Sequence, residues 1–209
     1  FRELDLPSLV ERFSTRTAAV HRYELVSDLE VLAALVERLR GCGAFALDTE
    51  TTSVDPTRAE LVGLSFSCAE GEAWYVPVKG PADLTADQQP LPAGEVLTAL
   101  APLLADPAIK KCGHNAKYDL LVLSRHGVEV AGLFCDTMVA DYLLNPSGFQ
   151  HNLDAVSLEH LGLKKIPTSQ LLGTGRNQRT MDQVPIAQVA EYACEDADYT
   201  WRLQQVLMP

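Results

Sequence analysis

A chain of 209 residues, 47% hydrophobic and 22% charged, has the composition of a globular protein with apolar matter for a sizeable core, and its length suits one domain with a tail better than two. Its longest apolar runs fall far short of the roughly 18 residues a membrane span needs, and residues 1–20 lack the basic start and apolar centre of a signal peptide. The chain therefore reads as soluble and cytoplasmic, with no membrane partner. A formal net charge of −11 excludes holding nucleic acid by a general basic field; such a role needs divalent cations at a carboxylate cluster, or a basic neighbouring domain.

Residues 1–13 carry Leu6, Leu9, Val10 and Phe13 at helical spacing behind Pro7, which predicts a short helix followed by a linker to residue 20, apart from a main domain over 21–209. Residues 22–26 predict an edge strand. Ser27 or Asp28 then caps a helix whose apolar face is Val31, Leu32, Leu35, Val36 and Leu39 and which ends at Gly41. The run Ala44, Phe45, Ala46, Leu47 leads as a strand into Asp48-Thr49-Glu50. β-Rich runs over 61–66 and 73–78, with a turn at 69–72 between them, complete an antiparallel meander of three strands.

Prolines and polar residues over 81–92 predict a surface loop, and 94–104 a helix stopped by Asp106-Pro107. A fourth strand over 109–112 precedes a helix over 115–125 that stops at Gly127. A fifth strand over 133–135 runs into a helix over 137–144, ended by Asn145-Pro146. A helix over 153–161 and a polar loop around 173–178 lead to a last helix from Pro185 to about Leu207. This order predicts an α/β fold, a mixed five-stranded sheet with helices on both faces, in which function gathers at the strands' carboxyl ends. The five cysteines (Cys42, Cys68, Cys112, Cys135, Cys194) are odd in number and lack C-x-x-C spacing, so they read as reduced and mostly buried rather than as disulfides or zinc ligands.

Carboxylates turn up where apolar residues belong. On a strand Asp48 and Glu50 share a face, roughly 6 to 7 Å apart at the backbone, which suits a cation; the same pattern fits a strand that leaves the core and meets water. On the last helix Val189, Tyr192, Asp196, Tyr199, Leu203 and Leu207 fall on one face, so Asp196 lies in an apolar stripe and needs a proton, a cation or hydrogen bonds. Glu195 and Asp198 fall off that stripe and read as solvated. Asp119 precedes the apolar run of its own helix, where a first-turn acid complementing the helix dipole is the plain reading.

Three segments, Asp48-Thr49-Glu50, then Asn115-Ala116-Lys117-Tyr118-Asp119, then Tyr192-Ala193-Cys194-Glu195-Asp196, resemble in order and spacing the exonuclease motifs of the DEDD superfamily in its tyrosine-bearing subgroup. The resemblance is to the 3′–5′ proofreading domains of bacterial family A DNA polymerases, the DNA polymerase I type. It extends through residues 134–138 and 173–178 and covers roughly residue 22 to the end. Residues 1–13 resemble the close of a preceding 5′ nuclease region, and Met208-Pro209 the junction to a polymerase domain in the same parent chain.

The resemblance implies an RNase H-like fold and a two-metal hydrolase, active in DNA replication and repair, that frees 5′-monophosphates from single-stranded DNA 3′ ends as a monomer. Two divalent cations, Mg²⁺ or Mn²⁺, suit the all-oxygen donors. Asp48 would bridge both, Glu50 and Asp196 would complete one site, Asp119 would support the other through water, and Tyr192, otherwise a core tyrosine, would orient the attacking water. Thr49, Val54, His114, Asn115, Lys117, Arg176 and Met181 are the implied substrate contacts, Val54 and Met181 as apolar stand-ins for leucine and phenylalanine. His114 also reads as a structural histidine, and Lys117 and Arg176 as solvated charges. RNase D, an RNA 3′ exonuclease with the same motifs, and an inactive polymerase scaffold are the competing readings.

Overall fold

The sheet is laid around β2 (Ala44–Thr51), which pairs antiparallel with β3 (Leu61–Ala69) and parallel with β5 (Lys110–Gly113). The computed structural model describes residues 21–82, 84 and 89–208; the helix expected over residues 1–13 and its linker lie outside the described residues. β3 continues the meander into β4 (Glu72–Pro77), and β6 (Leu133–Asp136) lies parallel to β5. The expected meander and mixed sheet are present. The strand count is corrected from five to six, because β1 (Arg22–Leu25) joins the sheet parallel to β4 and gives the order β1-β4-β3-β2-β5-β6.

Strand alternation divides the residues of β2 between two cores. Phe45 and Leu47 face a cluster with α1 (Leu29–Cys42) and α2 (Ala93–Ala105), through Leu32, Leu35, Leu39, Val96, Leu100 and Leu103. Ala46, Asp48 and Glu50 face the other way, toward α7 (Ile186–Leu207), the long helix that packs across β2, β3 and β4. Ala46 clusters there with Cys112, Cys135 and Trp201, and Val189 and Tyr192 of α7 meet Val62 and Tyr75 nearby. A small residue at 46 admits the helix close to the strand, and the next two positions on that face are the carboxylates.

Caps explain the helix starts and stops. Asp28 accepts from Val31 N at 2.8 Å, and α1 runs past Gly41 to Gly43, whose φ of 70° supplies the left-handed stop. Asp136, at the end of β6, caps α4 (Thr137–Leu144) by accepting from Met138 N at 3.0 Å. The stretch expected as a helix over 153–161 is α5 (Leu153–Val156) continued by a π-helical turn, Ser157–Leu161. A one-turn helix, α6 (Thr168–Leu172), follows where the sequence offered no helical period.

Among the described residues no helix is long and apolar enough to cross a membrane. All five cysteines are free; Cys112, Cys135 and Cys194 are buried, whereas Cys42 is exposed with its Sγ 2.7 Å from that of half-buried Cys68.

Candidate active site

Asp48 and Glu50 stand on the α7 face of β2 at its carboxyl end, and Asp196 reaches them from α7. One carboxylate oxygen from each lies within 4.8 Å of the other two. Glu50 and Asp196 are buried, at 5% and 8% exposure. The fourth acid, Asp119, comes from the first turn of α3 (Ala116–Arg125), and its Oδ1 accepts from the backbone N of Thr49 at 3.0 Å and from Thr49 Oγ1 at 2.6 Å. Thr49, expected as a substrate contact, is 7% exposed and fixes this acid. The side chains of Asp48 and Glu50 make no hydrogen bond among the described residues.

Crowding four carboxyl groups away from water raises the free energy of their charged forms. Burial, then the charge of Asp196, pushes Glu50 up to about 8. Burial, with Asp119, Glu50 and Asp196 around it, holds Asp48 well above the usual carboxylate range. Asp119 is pushed up to about 7 by burial, against the Thr49 hydrogen bonds that favour its ionised form. Asp196 rises to about 6, burial outweighing the ammonium of Lys165 beside it. A donor set of oxygens only, unpartnered at Asp48 and Glu50 and repelling one another, fits hard divalent cations, whose charge would relieve the repulsion.

Tyr192 lies one helical turn before Asp196, 7% exposed, its hydroxyl 2.8 Å from Thr168 Oγ1 at the start of α6. Burial, reinforced by Asp196 and Glu50, raises its phenol far above neutrality, so it stays protonated. Lys165, absent from every sequence expectation, is 5% exposed; its Nζ donates to Asp196 Oδ1 and lies 3.9 Å from the Tyr192 ring centroid. A pair of lysines in a polar connection carries no burial signal in the sequence.

Around this centre, Asn115 caps α3 with φ 62°, the one positive φ outside glycine among the described residues. Asp136 holds that bend, accepting from Asn115 N at 3.0 Å and Ala116 N at 2.8 Å. One carboxylate thus fixes the starts of both α3 and α4. His114 Nδ1 lies 2.8 Å from Thr137 Oγ1, and burial lowers the imidazole to about 4, so it is neutral. Val54 is 96% exposed, and Lys117 and Arg176 are exposed. Met181 is 5% exposed and packs with Ile166, Leu171, Val184 and Val189.

Two acids beside the site depart from the reading as solvated. Asp198 is fully buried yet satisfied by Tyr23 Oη and Gly71 N, each at 2.8 Å, and by two donors of Arg202. Glu195, 3% exposed, accepts from Ile166 N at 2.5 Å. In a second group with close ligand atoms, Asp141, Glu159 and His160, the buried Asp141 is satisfied by histidines: His151 Nδ1 and His160 Nε2 donate to its separate oxygens, each at 2.6 Å.

Residues 23–209 match the 3′-5′ exonuclease family. DNA polymerase I of Pseudomonas aeruginosa is 41% identical over 187 residues, covering 88% of this chain and 20% of that protein, so the chain spans about a fifth of the length of such relatives. Among solved structures, Brucella melitensis NrnC with bound Mg²⁺ is 26% identical, with a TM-score of 0.59 over 90% of this chain and 80% of its own. Trypanosoma brucei RNase D shares the fold at a TM-score of 0.70 over 91% of this chain and 66% of its own, with 20% identity. A match along nearly the whole described domain, together with a polymerase relative at this identity, shows that the chain belongs to the 3′–5′ exonuclease domain family of DNA polymerase I.

Proposed function

We propose that residues 21–209 are the proofreading module of a DNA polymerase, hydrolysing the last phosphodiester at a single-stranded DNA 3′ end and releasing a 5′-monophosphate. The convergence of Asp48, Glu50 and Asp196, one oxygen of each within 4.8 Å of the others, carries the reading. It takes two divalent cations, Mg²⁺ or Mn²⁺, and works as a cytoplasmic monomer with a polymerase domain in the same parent chain. When bound, such cations acidify the attacking water and offset the charge that develops on the leaving 3′ oxygen.

The chain's own residues do the rest. Asp48 would be the ligand shared between the cations, Glu50 and Asp196 would complete the set around one of them, and Asp119, fixed by Thr49, would support the other through water. The protonated Tyr192 hydroxyl, steadied by Thr168, orients the attacking water together with Glu50. Asn115, held by Asp136, and the neutral His114 border the place of the terminal nucleotide. Val54 offers exposed apolar surface to the last bases, and Lys117 and Arg176 offer charge to phosphates.

The test is digestion of 3′-labelled single-stranded DNA and RNA with Mg²⁺, Mn²⁺ or EDTA. The reading expects DNA to be shortened from its 3′ end with either cation and left intact in EDTA. Preference for RNA would assign the chain an RNA 3′ exonuclease role, and no digestion of either would make it a scaffold.

A further inference from the structure

The segment between the π-helical turn and α6 lies along α7 as a strap. Thr168 Oγ1 bonds Tyr192, Ile166 N donates to Glu195 Oε2 at 2.5 Å, and Lys165 Nζ meets Asp196, so three strap residues meet a single turn of the helix. Held this way, Lys165 has 3% side-chain exposure and its ammonium meets Asp196 at the edge of the acid cluster, over the Tyr192 ring. A buried ammonium is stable only beside anions, and these anions are the ones a divalent cation would take.

We propose that Lys165 is a built-in counter-cation of the carboxylate cluster, which neutralises Asp196 in the metal-free protein and competes with a divalent cation for it. The inference rests on the metal-site reading given above. A carboxylate oxygen already receiving an ammonium must exchange that partner to ligate a cation, so cation affinity is lowered by whatever the Lys165–Asp196 pair is worth. The displaced ammonium has a second acceptor within reach: Asp154 Oδ1 lies 4.0 Å from Lys165 Nζ, on a side chain that is 55% exposed. Lys165 can thus move from a buried to a solvated carboxylate as a cation takes Asp196, which makes it a regulator of cation binding.

The test is Mn²⁺ titration of the nucleic-acid-free protein, followed by the paramagnetic signal of free Mn²⁺ and by melting in EDTA and in Mn²⁺. Lys165→Met should bind Mn²⁺ at least tenfold more tightly than the parent, melt lower in EDTA, and gain more in melting temperature on adding Mn²⁺. Lys165→Arg, which keeps the charge, should stay near the parent. Lys165→Gln, which keeps a hydrogen bond to Asp196 without the charge, gives the same readout as methionine if that variant does not fold. Equal or weaker Mn²⁺ affinity in the neutral variants, with binding by the parent, would overturn the role of Lys165 alone. Absence of Mn²⁺ binding from parent and variants alike would overturn the metal-site reading and this inference with it.

Discussion

Replacing Glu50 by glutamine should stabilise the metal-free protein while abolishing its response to metal. Glu50 titrates ordinarily at 4.5 and is pushed up to about 8 in the fold, by burial first and then by the charge of Asp196. The folded state thus keeps a proton that the unfolded chain gives up, and stability is lost as pH rises from about 4.5 to about 8. At pH 7, roughly 2.5 units into that window at about 1.36 kcal/mol per unit, the cost is about 3 kcal/mol. Glutamine has nearly the same shape and no proton to hold, so in EDTA at pH 7 it should recover up to that amount, or roughly 6–12 °C in melting temperature for a chain of this size. The parent in EDTA should melt lower at pH 8 than at pH 5.5, and the variant should lose much of that slope.

With Mg²⁺ the order reverses. The parent gains about 2.7 kcal/mol when the cation is at 100 times its dissociation constant. The variant, lacking a ligand, gains little and cleaves nothing. Differential scanning calorimetry across this pH range, with and without Mg²⁺, measures both halves. A Glu50→Gln variant that melts lower than the parent in EDTA, or keeps the full Mg²⁺ gain, would refute the assignment of Glu50 as a strained, cation-seeking carboxyl.

Three further outcomes follow from the site. Tyr192→Phe should bind Mn²⁺ as the parent does but cleave on the order of 10²-fold more slowly, since it deletes only the hydroxyl that places the water; an unchanged rate would leave Tyr192 a core residue. Blunt, fully paired ends should be cut more slowly than single strands, by about tenfold for each terminal pair that must melt at about 1.4 kcal/mol per step; equal rates would contradict a site built for an unpaired end. With a net charge of −11, affinity of a catalytically silenced, metal-retaining variant for single-stranded DNA should be weak in EDTA, rise with divalent cations and depend only shallowly on monovalent salt; a steep salt slope would reveal a basic track.

The parts of the fold and site that were legible in the sequence depend on short-range periodicity. Alternation placed Asp48 and Glu50 on one face of β2, steps of three and four placed Tyr192 and Asp196 on one face of α7, and the Asn145-Pro146 stop placed the end of α4. What stayed hidden depends on partners distant in sequence. The strand at 22–25 is legible as an edge strand, but its parallel partner β4 lies some 50 residues on and has no local signal. Asp198 and Glu195 look polar and solvated by periodicity, yet α7 is buried beyond its apolar stripe, and Tyr23, Gly71, Arg202 and Ile166 satisfy them from elsewhere. Lys165 was invisible for the same reason: its burial exists only because Asp196, 31 positions away, neutralises it. The burial of Met181 beside Ile166 and Val189 likewise depends on partners distant in sequence.

The claim on which the account turns is that the clustered acids hold the cations that cut the phosphodiester bond. It is tested by measuring, on one preparation each of the parent and Asp48→Ala, the Mg²⁺-dependent release of 5′-monophosphates from single-stranded DNA together with the melting temperature in EDTA. The account predicts that Asp48→Ala releases none while melting no lower than the parent, because the substitution removes the shared ligand and relieves crowding among Glu50, Asp119 and Asp196. Parental activity in Asp48→Ala, or a fold that collapses in EDTA without this carboxylate, would contradict it.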